Sequence, residues 1–126
     1  MNDQEIYIEE SYHDPLNKLG REFLKTSRSK GFTDGNLTFQ DTVEKLMLTV
    51  SELAEALEEL RAGKGLTEIY YNFDRPDKPE GFPIELADAV IRILQLAAAS
   101  DIDMDVAVAI KNAYNGNRPY KHGKVF

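Results

Sequence analysis

Cysteine is absent from all 126 residues of this chain. That excludes disulfides, thiolate metal sites and a cysteine nucleophile, and it suits a reducing cytoplasm, the location expected for the protein. Histidine is nearly as scarce, and His13 and His122 fall in no ligand or triad spacing. No apolar run is long enough to span a membrane. The opening "MNDQEIYIEE" lacks the basic and apolar regions of a secretory leader. Excess positive charge is missing as well. Fifteen Lys and Arg face 22 Asp and Glu, a net charge of −7, which argues against a nucleic-acid polymer as partner.

What is present reads as one domain over residues 1–126, with 42% hydrophobic residues to build a core. Residues 1–14 are polar and acidic and are expected to form an extended arm. Asp14-Pro15 opens a helix carrying Leu16, Leu19, Phe23 and Leu24, which stops before Gly31. Thr38 and Asp41 make a capping box for a second helix. Its stripe of Val43, Leu46, Val50, Leu53, Leu57 and Leu60 at the 3.6-residue period predicts a buried face. Residues 64–83 hold three prolines and read as a long loop. "TEIYYNF" within them is strand-like, but one strand without a partner makes no sheet. A third helix runs from Pro83 to about Ser100. A fourth starts at Asp101 or Asp103 and ends near Gly116, followed by a basic tail over 116–126. The expectation is an all-α, four-helix antiparallel bundle with a long loop between its second and third helices.

The third helix is apolar on nearly every side except for Glu85, Asp88, Arg92 and Gln95, which share a sector of about 80°. Such a helix is central, with its polar seam either a thin wet edge carrying an Asp88–Arg92 pair or a cavity lining. Its excess of apolar surface is also what a homo-oligomer would cover. On the second helix Glu52, Glu55 and Glu59 lie on one side, opposite the apolar stripe. If the two helices pack antiparallel, Glu52 and Glu55 face Glu85 and Asp88. Two such charges at 4 Å repel by about 4 kcal/mol at an effective dielectric near 20, so the cluster needs a counter-ion or protons. Oxygen-only ligands select Mg²⁺, with Mn²⁺ as a substitute. After Asp105 every Asp and Glu is gone, and Lys111, Asn115 and Arg118 follow i, i+4, i+7 spacing.

These segments, "SELAEALEELRAG", "KPEGFPIELADAVIRIL" and "KNAYNGNRPYKHGKVF", resemble the MazG-like nucleotide pyrophosphohydrolases of the all-α NTP pyrophosphatase superfamily. The ordered set ExxE, loop, ExxD, KxxxNxxR carries the resemblance, over roughly residues 16–126. It implies a Mg²⁺-dependent hydrolase that cleaves nucleoside triphosphates between the α and β phosphates and assembles as a dimer or tetramer. It assigns Glu52, Glu55, Glu85 and Asp88 to the metal, Glu52 or Glu55 to activation of water, and Lys111, Asn115 and Arg118 to substrate phosphates. Thr49 stands where many members carry a further glutamate, which leaves the number of metal ions open, with Glu59 as a partial substitute. A narrow-specificity dUTPase-like or modified-nucleotide hydrolase and a non-catalytic helical partner-binding module remain the alternative readings.

Overall fold

The computed structural model describes residues 14–32 and 36–125, so the expected arm lies outside it apart from Asp14. Four helices dominate: α1 (Pro15–Ser29), α2 (Phe39–Arg61), α3 (Phe82–Ala99) and α4 (Met104–Gly116). No helix among the described residues is long and apolar enough to cross a membrane.

Local chemistry sets most of the boundaries. Pro15 occupies the first turn of α1, and Gly31 at φ 84° follows its end. Thr38 accepts from the Asp41 amide while Asp41 accepts from the Thr38 amide, closing the capping box of α2. Asp103, not Asp101, caps α4 by accepting from the Val106 amide. The first amides of α1 are satisfied from a distance. Asp105 accepts from the Leu16 and Asn17 N–H groups at 3.0 and 2.9 Å, and Asn17 in turn bonds Asp103 and the Met104 amide. These bonds anchor the start of α4 to the start of α1.

The loop expectation for residues 64–83 needs correction. β1 (Tyr70–Asn72) and β2 (Arg75–Glu80) form an antiparallel hairpin, with Tyr70 opposite Glu80 and a register irregularity after Tyr71. The strand-like segment finds its partner just beyond a tight turn. Pro76 and Pro79 do not prevent this, because each strand of a two-stranded sheet has a free edge that needs no amide donor. The hairpin delivers the chain to α3 through Gly81, at φ 128°. A Cβ there would lie 2.2 Å from the Glu68 carbonyl oxygen, so only glycine lets the chain pass.

Helix α3 is central, as its composition indicates, and packs on both α1 and α2. Gly20 makes the α1 contact close: a Cβ would sit 2.6 Å from the Leu94 carbonyl oxygen. Both neighbours run antiparallel to α3: Leu16 and Asn17 line a cavity with Ala97 and Ala98 while Phe23 lines one with Ile91, and Glu52 meets Arg92 while Lys45 approaches Gln95. Helix α4 packs mainly on α1 and buries none of its residues.

The expected burial of the α2 stripe is not what the structure shows. The buried residues of the helix are Thr49, Glu52 and Ala56, and the predicted core stripe from Val43 to Leu60 lies exposed. Ala56 and Ala89 allow α2 and α3 to approach on the carboxylate-bearing side, where Arg92 offers Glu52 a partner. The buried apolar residues among those described are Leu24, Ala56, Ala89, Leu94 and Ala97, a small core for this length of chain. The stripe on α4, Val106, Ile110 and Tyr114, is exposed as well.

Candidate metal centre

The antiparallel contact of α2 and α3 brings Glu52, Glu85 and Asp88 together. One carboxylate oxygen from each lies within 4.8 Å of the others. Glu52 comes from the middle of α2 and is buried. Glu85 stands in the first turn of α3, where the helix dipole favours negative charge, and Asp88 follows one turn later. Glu55 stands at the exposed rim and shares hydrogen-bonding contact with Glu85 and Glu52.

The three acids are not equivalent electrostatically. Burial pushes the Glu85 carboxyl up to about 8, with the neighbouring Glu55, Glu52 and Asp88 adding to the rise. Its Oε2 is fully buried and has no hydrogen-bond partner among the described residues. Burial and the Glu52 charge also raise Asp88, against the pull of the Arg92 and Lys78 cations. Glu52 moves the other way. Partial burial opposes its ionisation, but the Arg92 guanidinium, donating from Nε to Oε1 at 2.9 Å, outweighs that and holds the carboxyl below its ordinary value.

Arg92 is the residue whose partner spacing left open. Of the two readings of the seam, a wet edge with an i,i+4 pair to Asp88 or a lining between helices, the second describes its hydrogen bond, which goes across the helix interface to Glu52. Its place on the polar seam was visible; its partner depended on how α2 and α3 dock. Thr49 is buried beside the centre and donates to the Lys45 carbonyl at 3.0 Å. Glu59 does not join the three acids within reach of a common ion. Both its oxygens accept from the Tyr70 hydroxyl, at 2.9 and 2.8 Å, while Lys64 lies 4.4 Å above the Tyr70 ring. That contact raises the Tyr70 phenol to about 12, with the Glu59 hydrogen bond as the main cause, and ties the hairpin to the end of α2.

Lys111, Asn115 and Arg118 do not share one helical face, because α4 ends at Gly116. Lys111 and Arg118 nevertheless meet at the Tyr114 ring, 4.9 and 5.4 Å from its centroid. The cations acting on Asp88 are Arg92 and Lys78, not these. Lys78 sits on β2, 3.4 Å from Glu80, and the spacing pattern gave no hint of it.

An all-oxygen donor set of this kind could hold a hard divalent cation. Octahedral Mg²⁺ with oxygens at about 2.1 Å places them about 3 Å apart when adjacent and about 4.2 Å apart when opposite, so the three oxygens would have to draw closer to share one ion. A buried carboxylate oxygen without a donor is the type of group such an ion would satisfy. No protein-family model, curated protein or solved structure matches this chain.

Proposed function

We propose that the chain is a Mg²⁺-dependent nucleoside triphosphate pyrophosphohydrolase with a bundle of the MazG-like type. The observation that carries the reading is the convergence of Glu52, Glu85 and Asp88 oxygens within 4.8 Å, from two helices. The ordered acidic and basic motifs support it. In this reading those three carboxylates hold the cation, which supplies neutralisation of the phosphate oxygens. Glu55, exposed at the rim, accepts a proton from the water that attacks the α phosphorus in line, and pyrophosphate leaves. Lys111, Asn115 and Arg118 bind the departing phosphates, Arg118 through a bidentate fork. Arg92 keeps Glu52 ionised and aimed across the interface.

A second reading, a non-catalytic helical module, draws support from the same Arg92–Glu52 pair, since one of the three acids already has its counter-charge within the protein. Measuring pyrophosphate release from a panel of triphosphates, including dUTP and base-modified nucleotides, decides between them and defines the specificity. Release that needs Mg²⁺ or Mn²⁺, stops with a chelator and falls at least about 100-fold in Glu85→Gln is expected. No pyrophosphate from any nucleotide at any divalent concentration would leave the module.

A further inference from the structure

Two cations act on Asp88 among the described residues, Arg92 and Lys78. Arg92 is committed, because its Nε donates to buried Glu52 at 2.9 Å. Lys78 is held loosely. Its ion pair with Glu80 spans 3.4 Å, and 52% of its side chain meets solvent. A solvent-exposed pair of this kind contributes little to stability. Glu80 also has a second donor, the Asn72 side-chain amide, which stays when the amine leaves.

The hairpin turns this lysine toward the helix pair. Tyr70 and Glu80 stand opposite each other in the register, so they share one face of the sheet. The Tyr70 hydroxyl bonds Glu59, which directs that face at α2. Lys78 lies two residues before Glu80 and so stands on the same face. The frame is fixed at both ends. Tyr70 ties β1 to α2, and the close passage of Gly81 beside Glu68 sets where β2 runs into α3. The strand that bears Lys78 thus leads directly into the helix that bears Glu85 and Asp88.

We propose that Lys78 is a phosphate-binding residue, whose ammonium leaves Glu80 to hold an oxygen of a polyphosphate chain seated at the Glu52, Glu85 and Asp88 centre. The proposal rests on reading that centre as a cation site. Charge balance supports it. Ionised Glu52, Glu55, Glu85 and Asp88 bring four negative charges, against which Arg92 and one divalent ion return three. A polyanion meets a mouth that is still negative unless a further cation joins it, and a flexible lysine is a compact charge suited to that task. Lys111 and Arg118 meet at Tyr114 on α4, which packs mainly on α1, whereas β2 adjoins α3 itself. The oxygens beside the acids therefore fall to the hairpin cation.

Calorimetric titration of the full chain with inorganic triphosphate in saturating Mg²⁺ tests this without turnover. Lys78→Met should weaken binding at least about tenfold, while Lys78→Arg and the α1 surface control Lys25→Met stay within about threefold of the parent. Glu80→Gln separates phosphate binding from support of the hairpin. It frees the amine and should bind at least as tightly as the parent, whereas a purely structural ion pair makes it as weak as Lys78→Met. A further measurement covers a variant that fails to fold: in the parent, triphosphate with Mg²⁺ should slow acetylation of the Lys78 amine at least about fivefold, read by peptide mass spectrometry, and leave Lys25 unchanged. A parent that binds no triphosphate, a Lys78→Met chain that binds it as the parent does, a Glu80→Gln chain as weak as Lys78→Met, or no protection of Lys78 would overturn the proposal. Its failure is distinct from that of the catalytic reading. A parent that binds triphosphate through Lys78 yet releases no pyrophosphate upholds this assignment and removes that reading; pyrophosphate release with Lys78→Met binding like the parent does the reverse.

Discussion

Glu85→Gln offers the most direct test of how the acidic centre is held. The folded protein keeps a proton on Glu85 up to about pH 8, because burial and three neighbouring carboxylates oppose its ionisation. The unfolded chain releases that proton near the ordinary 4.5. Between these limits the folded state binds more protons, so stability falls as pH rises from about 5 to 8 and levels off above. Each pH unit inside the window costs at most about 1.4 kcal/mol. Glu85 is only partly buried, so solvent screening reduces the whole effect to on the order of 2 kcal/mol. For a domain of this size that is a fall in Tm of about 8 °C between pH 5 and 8. Glutamine keeps the shape and cannot ionise, so the variant should hold a nearly flat Tm and exceed the parent at pH 8. Saturating Mg²⁺ should flatten the parent's slope too, by favouring the ionised carboxylate, and leave the variant almost unaffected. Chelator-treated melts in steps of half a pH unit measure all of this. A parent whose stability rises between pH 5 and 8, or a slope that survives in Glu85→Gln, would refute the assignment.

Other outcomes follow from single contacts. Arg92→Met removes the only ion pair of buried Glu52 among the described residues and should destabilise the protein by about 2 kcal/mol in chelator, with much of the loss recovered in millimolar Mn²⁺; paired denaturant titrations measure this. Gly81→Ala forces a Cβ against the Glu68 carbonyl at a backbone angle alanine rarely adopts, and should cost about 3 kcal/mol in chemical denaturation. Tyr70→Phe releases the hairpin from Glu59, so amides of β1 and β2 should exchange several-fold faster in hydrogen-exchange measurements while those of α3 stay protected.

Much of the molecule is written locally. The four helices, the Asp14-Pro15 start, the Thr38–Asp41 box and the polar seam on α3 each depend on residues a few positions apart, which is the range over which capping and periodicity act. The pairs of acids, Glu52 with Glu55 and Glu85 with Asp88, were legible for the same reason, at i and i+3 on each helix. What spacing could not deliver was orientation. A leucine stripe has the same period whether its own chain or another covers it, so α2 was expected to bury Leu46 and Leu53 and instead buries Thr49 and Glu52. Arg92 met Glu52 rather than Asp88 because docking geometry, not sequence distance, set which carboxylate lay within 2.9 Å. The hairpin needed a pairing between two segments neither of which forms a sheet alone. Sequence by itself determined which faces are apolar and which are acidic; only the tertiary structure decided which face meets which, since that choice depends on contacts among residues dozens of positions apart.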